Sequence, residues 1–223
     1  MNVFITGISR GIGLGLTQLA LEKGHQVIGT VRHLQEAQDL KHLKDRFPKD
    51  LQILELDLRQ EEAPDLISQS VASLQQIDLL INNAGILEEG VSKESFLKSF
   101  EVNTYVPFMV TQALLTKLKK SSTPKMAQIS STMGSIEDNQ SGGYYAYRSS
   151  KAALNMITKS LTVDHPWLTT VVLHPGWVRT RMGGPDATTS VSDSTQGLWK
   201  VIENLTPADS GSFIDFHGSR LPW

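Results

Sequence analysis

The sequence has 223 residues, 39% hydrophobic and 20% charged, with a formal net charge of −2. These values fit one sizeable soluble domain and speak against nucleic acid or an anionic membrane as partner. The absence of cysteine excludes disulfides, thiolate zinc sites and a cysteine nucleophile; the six histidines form no HExxH or similar pair, so no protein-held metal is expected, and no apolar run is long enough to span a bilayer.

The first predicted strand, NVFIT, starts at Asn2 with no basic region or cleavage site before it, so a cytoplasmic protein is expected. TGISRGIG follows at residues 6–13 and leads into a helix marked by Ile12, Leu16, Leu19 and Ala20 and closed at Gly24. Gly7, Gly11 and Gly13 permit a tight turn and a close approach to a pyrophosphate, whose charge the helix N-terminus favours; Ser9, Arg10 and Ile12 complete this candidate loop. The spacing is GxxxGxG, not the literal GxGxxG, and a strand-to-helix turn without a ligand also uses glycine.

The second predicted strand, QVIGTV, runs into Arg32. An NAD-type site carries a carboxylate about twenty residues beyond the glycine loop to hold the ribose 2′-hydroxyl. None stands here, and the guanidinium groups of Arg32 and Arg10 suit a 2′-phosphate, so NADP(H) is expected over NAD(H); two solvated surface arginines are the alternative. Further strands are predicted at LQILEL, DLLINN, MAQIS and TTVVLH, with helical spacing in Val102, Val106, Met109, Val110, Ala113 and Leu114 and in Ala153, Leu154, Ile157 and Leu161. Nearly all-apolar strands alternating with helices predict an α/β fold: a single Rossmann-type domain, residues 1–223, with a doubly wound parallel sheet flanked by helices. Ligands of such sheets bind beyond the carboxyl ends of the strands.

Three tyrosines crowd GGYYAYRSSK, residues 142–151. Reducing a carbonyl needs a hydride and a proton, and a phenol with a pKa of about 10 needs a neighbouring cation to serve near neutrality. Tyr147 lies four residues before Lys151 and shares its helix face. Tyr145, six before, points elsewhere; Tyr144, seven before, lies two turns away, about 10 Å, and reads as packing at the helix start. Ser131, at the end of the fifth strand, is the candidate to bind the carbonyl oxygen, with Ser130 as competitor because adjacent strand residues face opposite ways. Met133, Ile136, Tyr145, Trp177 and Met182 are candidates for an apolar substrate wall or for plain packing. The Gly-, Thr- and Ser-rich stretch at about 176–197 reads as a substrate loop.

TGISRGIG, DLLINNAG, Asn103 in VN, QISS, YRSSK and HPGWVRT together resemble, in order and approximate spacing, the short-chain dehydrogenase/reductases. GSIEDNQSGGYYAYRSSKAALN, PGWVRTRMGG and FHGSRLPW are similar to the sniffer-type carbonyl reductases and the C-factor-like proteins. The resemblance implies that Asp57 and Leu58 flank an adenine, that Asn82, Asn83, Ala84 and Gly85 line the cofactor and stiffen the sheet, and that Pro175, Gly176, Val178 and Thr180 hold the nicotinamide end. It also implies catalysis by Asn103, Ser131, Tyr147 and Lys151: Asn103 supports a proton-relaying water, and Lys151 also binds the nicotinamide ribose. Of the two serines it takes the second, although Ser131 stands sixteen residues before Tyr147, a few more than is usual in the family. The expected activity is NADPH-dependent reduction of an aldehyde, ketone or quinone. The alternative is a C-factor-like signalling or regulatory protein that binds NAD(P) with little turnover. A homodimer through helices around 103–120 and 147–164 is a family expectation, with a monomer as alternative.

Overall fold

Strand β1 (Asn2–Thr6) sends its side chains alternately into two cores, Val3 and Ile5 into one and Phe4 into the other, all fully buried. This period-two division requires cover on both faces of the sheet. The same division repeats in β4 (Leu79–Asn82), with Leu79 and Ile81 opposite Leu80, and in β5 (Lys125–Ile129), with Ala127 and Ile129 opposite Met126. A computed structural model describes residues 1–223, the side chain of Glu36 excepted.

With β2 (Gln26–Val31), β3 (Leu51–Glu55), β6 (Thr169–His174) and β7 (Ser212–Asp215), these strands form one parallel sheet in the order β3-β2-β1-β4-β5-β6-β7. Helices α1 (Gly11–Glu22), α2 (Gln38–Arg46) and α7 (Val191–Asn204) cover one face through Leu16, Leu40, Leu198 and Trp199. Helices α3 (Ala63–Ser70), α5 (Val106–Leu118) and α6 (Tyr145–Asp164) cover the other through Ile67, Val110 and Leu161. Helix α4 (Lys93–Phe100) packs on α6 and continues into α5 through a π-helical turn, Glu101–Tyr105. Among the described residues no helix is long and apolar enough to cross a membrane.

Strand order reverses between β1 and β4, opening a crevice beyond their carboxyl ends. Asn82 fastens that point: its amide donates to the Pro107 carbonyl and the Thr111 hydroxyl, both at 3.2 Å, tying β4 to α5.

Three features differ from the sequence reading. The seventh strand was not anticipated, because only Phe213 and Ile214 are apolar in its four residues. The stretch expected to be a loop to about 197 turns helical at Val191, where the Ser190 hydroxyl accepts from the Asp193 amide and caps α7. Tyr144 does not pack: it stands before α6 with φ of 46° and is 43% exposed.

Trp199 anchors α7, with its ring buried and stacked on His25 and its indole N–H donating to Glu203 at 2.7 Å. Trp199→Ala is expected to cost about 3–5 kcal/mol, read in urea unfolding as a lower midpoint at unchanged slope.

Candidate active site

The first half of the site grows out of the loop after β1. Gly7 has φ of +71°, and its N–H donates to the Thr30 carbonyl of β2 at 3.1 Å. The Asn83 amide donates to the carbonyls of Thr6 and Gly7, both at 3.0 Å. A Cβ on Gly13 would lie 2.1 Å from the Gly7 carbonyl oxygen and 2.5 Å from the Asn83 amide nitrogen, so glycine there keeps the loop flat against its neighbours. Arg10, before α1, makes no side-chain cap, and the first turn carries no acidic residue. The first amides of α1 therefore face the crevice ready for an anion.

That crevice is a cleft of about 610 Å³. It is lined by all of the predicted glycine loop except Thr6 and Ile8, by Arg32, Asp57, Leu58, Asn83, Ala84 and Gly85, and by Pro175, Thr180, Tyr147 and Lys151. Asn82 lies behind it. So do Gly176, whose Cβ position is filled by Phe216 and Thr189, and Val178, which is buried. Arg59 was missed by the sequence reading. It lines the cleft and grips Asp57 through Nε at 3.0 Å and Nη2 at 2.5 Å. The hydrogen bond from Arg59 holds the Asp57 carboxyl below its usual range, and Arg32 adds a smaller push the same way. The only signal for Arg59 was its place two residues beyond Asp57. Arg10 and Arg32 bring positive charge to the cleft lining, whereas Arg59 is paired with Asp57. With the glycine floor and the open helix end, this fits a dinucleotide carrying an extra phosphate.

The second half comes from β5 and α6. Tyr147 is in the first turn of α6 and Lys151 in the next, and both are buried. The Lys151 ammonium donates to the Ile129 carbonyl at 2.9 Å and lies 5.8 Å from the centre of the Tyr147 ring. Ser130 and Ser131 follow β5 and separate as alternation requires. The Ser130 hydroxyl turns inward and donates to Asn155 at 2.8 Å, whereas that of Ser131 stands near the Tyr147 phenol and accepts from the Met133 amide at 3.1 Å. Asn103 sits in the π-helical turn, fully buried. Its oxygen accepts from the Ile86 amide at 2.8 Å, and its nitrogen donates to the Ile86 carbonyl at 2.9 Å and the Ser150 hydroxyl at 3.0 Å. Gly85 brings the two halves together: a Cβ there would be 3.2 Å from the Asn103 oxygen and 3.5 Å from the Lys151 nitrogen.

Burial pushes the Tyr147 phenol up to about 12, against the smaller opposing effect of the nearby Ser131 hydroxyl. The sequence reading expected Lys151 to lower this group. Burial prevails, and the ammonium turns its hydrogen bond to Ile129. Burial also brings Lys151 down to about 8. His174, at the end of β6, is pushed down to about 4 by burial, so near neutrality its uncharged ring accepts the Thr132 amide through Nδ1.

Of the predicted substrate wall, Met182 lines the cleft and Met133 lies half-buried in the turn Thr132–Gly134. Ile136, Tyr145 and Trp177 are exposed outside the cleft lining, and the Trp177 indole donates to the Gly183 carbonyl at 2.8 Å.

A family model described as short chain dehydrogenase matches residues 1–190. C-signal of Myxococcus xanthus is 44% identical over 154 residues, which are 66% of this chain and 93% of that protein. Among solved structures, carbonyl reductase Sniffer of D. melanogaster superposes with a TM-score of 0.94 at 36% identity, covering 100% of this chain and 99% of that one. An NADPH-bound carbonyl reductase from chicken fatty liver gives 0.92 at 35% identity, covering 100% and 98%.

The buried pair makes stability depend on pH. Lys151 falls from an ordinary 10.5 to about 8, so between those values unfolding takes up a proton and stability rises with pH; below 8 the cost of burying the ammonium is fully present. Tyr147 acts oppositely at higher pH: from 10.0 to about 12 the folded chain keeps a proton that the unfolded chain loses, and stability falls. Lys151→Met is therefore expected to be more stable than wild type at neutral pH and to lack the rise above pH 8, as measured by urea unfolding across a pH series.

Proposed function

The chain belongs to the short-chain dehydrogenase family, and on that premise we propose that it reduces a small-molecule carbonyl, an aldehyde, ketone or quinone, to an alcohol with NADPH. The observation that carries this reading is the Ser131–Tyr147–Lys151 cluster, whose tyrosine and lysine line the same cleft as the glycine loop, Arg10 and Arg32. NADP(H) in preference to NAD(H) is supported by Arg10 and Arg32 in the lining and by the lack of a carboxylate at the end of β2.

Bound along the cleft, the nicotinamide supplies the hydride. The side chains handle the oxygen. The Ser131 hydroxyl and the Tyr147 phenol converge where a carbonyl oxygen receives two hydrogen bonds, which strengthen as negative charge develops there. A phenol held near 12 keeps its proton at neutral pH, and an alkoxide is the stronger base, so transfer from Tyr147 to the reduced oxygen runs downhill. The Lys151 ammonium stabilises the phenolate left behind and is placed to bind the cofactor ribose. Asn103 fixes the Ile86 backbone in both directions and keeps the floor under Lys151 rigid; a relaying water beside it belongs to the same reading. Residues 176–190 are the proposed substrate loop, with Met182 on its inner side. A cytoplasmic homodimer completes the reading, supported by the exposed apolar side chains Tyr105, Met156 and Val163 along the proposed contact helices.

A second reading, a regulatory protein that binds NAD(P) with little turnover, is favoured by the similarity to C-signal. One experiment separates them. Wild type is expected to consume NADPH faster than NADH with at least one member of a panel of aldehydes, ketones and quinones. Tyr147→Phe is expected to lose about a thousandfold in turnover while binding NADPH as wild type does. Tight nucleotide binding without reduction of any panel member supports the regulatory reading instead.

A further inference from the structure

The loop joining Ser131 to Tyr147 is held from outside by the last residues of the chain. Its first turn packs against the catalytic helix: a Cβ on Gly134 would sit 2.9 Å from the Lys151 backbone. Beyond that turn, one Trp223 oxygen accepts three donors: the amides of Ile136 at 2.9 Å and Glu137 at 3.0 Å, and the Ser135 hydroxyl at 3.1 Å. Ser135 passes the restraint on by accepting from the Asp138 amide at 3.0 Å.

Trp223 is itself anchored. Its ring stacks on the buried Phe213 of β7 at 5.7 Å between centroids, and the Leu221 amide donates to the Phe213 carbonyl at 2.8 Å. On the far side of the loop, Arg148 donates to the Gly142 carbonyl at 3.0 Å and the Ser141 hydroxyl at 2.7 Å. Two glycines and Tyr144, all with positive φ, then turn the chain into α6. The segment between the two groups that converge on the substrate oxygen is therefore fixed by the sheet edge, through Trp223, and by α6, through Arg148.

This held loop leaves apolar surface uncovered. Ile136 is 79% exposed and Tyr145, at the start of α6, is 61% exposed. Both stand outside the cleft lining, on the segment that joins Ser131 to Tyr147, and so suit the part of a bulky apolar ligand that projects beyond the cleft.

We propose that the Leu221–Trp223 strap is a specificity-determining element that sets the position of the Ser135–Gly143 loop and so favours bulky apolar carbonyls over small ones. The proposal rests on the carbonyl-reductase reading. Trp223 does not touch the reacting atoms; it is a positioning residue, acting through Ser135, Ile136 and Glu137.

The test compares wild type with Trp223→Ala, Trp223→Phe and the milder Ser135→Ala, using menadione as the bulky carbonyl and propanal as the small one. In Trp223→Ala the KM for menadione is expected to rise about tenfold with little change in kcat, the signature of lost ground-state binding. The propanal constants and the NADPH Kd are expected to stay within about twofold of wild type. Trp223→Phe, which keeps an aromatic ring against Phe213, is expected to restore most of the loss, and Ser135→Ala to give a smaller shift in the same direction. Hydrogen exchange provides a readout without turnover: the Ile136 and Glu137 amides are expected to exchange about a hundredfold faster in Trp223→Ala. An unchanged menadione KM, or a parallel loss of propanal turnover and NADPH affinity, overturns the strap proposal while leaving the reductase reading standing. A wild-type protein that reduces neither carbonyl overturns the strap proposal, and one that reduces no aldehyde, ketone or quinone overturns the reductase reading as well.

Discussion

A buried ammonium organises this molecule. Lys151 has surrendered its hydration for one described hydrogen bond, to the Ile129 carbonyl where β5 ends. An ion so placed is costly unless its surroundings are fixed, because low local polarity magnifies every charge and dipole near it. The fixing is visible in what has been kept small. Gly134 lets the loop after β5 lie on the Lys151 backbone, and Gly85 lets the chain beyond β4 pass beside the ammonium and Asn103. Asn103 occupies the only π-helical turn among the described residues, a local widening that puts its amide between the Ile86 backbone and Ser150. Such turns cost regular hydrogen bonding and recur at functional sites.

Sheet topology determines what meets at that ammonium. Reversal of strand order between β1 and β4 leaves an opening that the glycine loop floors and the start of α1 faces. Strand β5, next to β4, delivers Ile129 and the two serines, and α6 delivers Tyr147 and Lys151 one turn apart. One end of the cleft is lined by arginines that suit phosphate. The other holds a phenol that burial keeps protonated and a lysine that burial makes easier to deprotonate. Opposite shifts of neighbouring groups from a single cause are a common basis for proton transfer.

Much of this was legible in the sequence because it depends on short-range periodicity. The two-faced strands, the four-residue step from Tyr147 to Lys151 and the glycine loop each obey a local rule. Alternation at the end of β5 left Ser130 and Ser131 both open, and only the family resemblance favoured Ser131; in the fold the Ser130 hydroxyl is taken up by Asn155. What escaped is either too short to carry a pattern or depends on the fold. Strand β7 is too short to announce itself, Arg59 matters only because its pairing with Asp57 folds it into the cleft, and the hold of Trp223 on Ser135 spans 88 residues. Nor could spacing decide the Tyr147 shift, since it weighs burial against a neighbouring charge and only the fold states how deep the phenol lies. Ile136, Tyr145 and Trp177 show the converse: large apolar residues in loops look like a pocket wall on paper, but they stand outside the cleft.

The central claim, that this cleft delivers a hydride to a carbonyl carbon while Tyr147 protonates the oxygen, is tested most directly with NADPH deuterated at C4 of the nicotinamide. Each of the two C4 epimers is supplied separately with a ketone in ordinary water, and the alcohol is analysed by mass spectrometry. With wild type, deuterium is expected on the carbinol carbon from one epimer and not the other, as a fixed cofactor orientation requires. Deuterium-free alcohol from both epimers, or bound NADPH with no alcohol formed from any aldehyde, ketone or quinone, would contradict the claim.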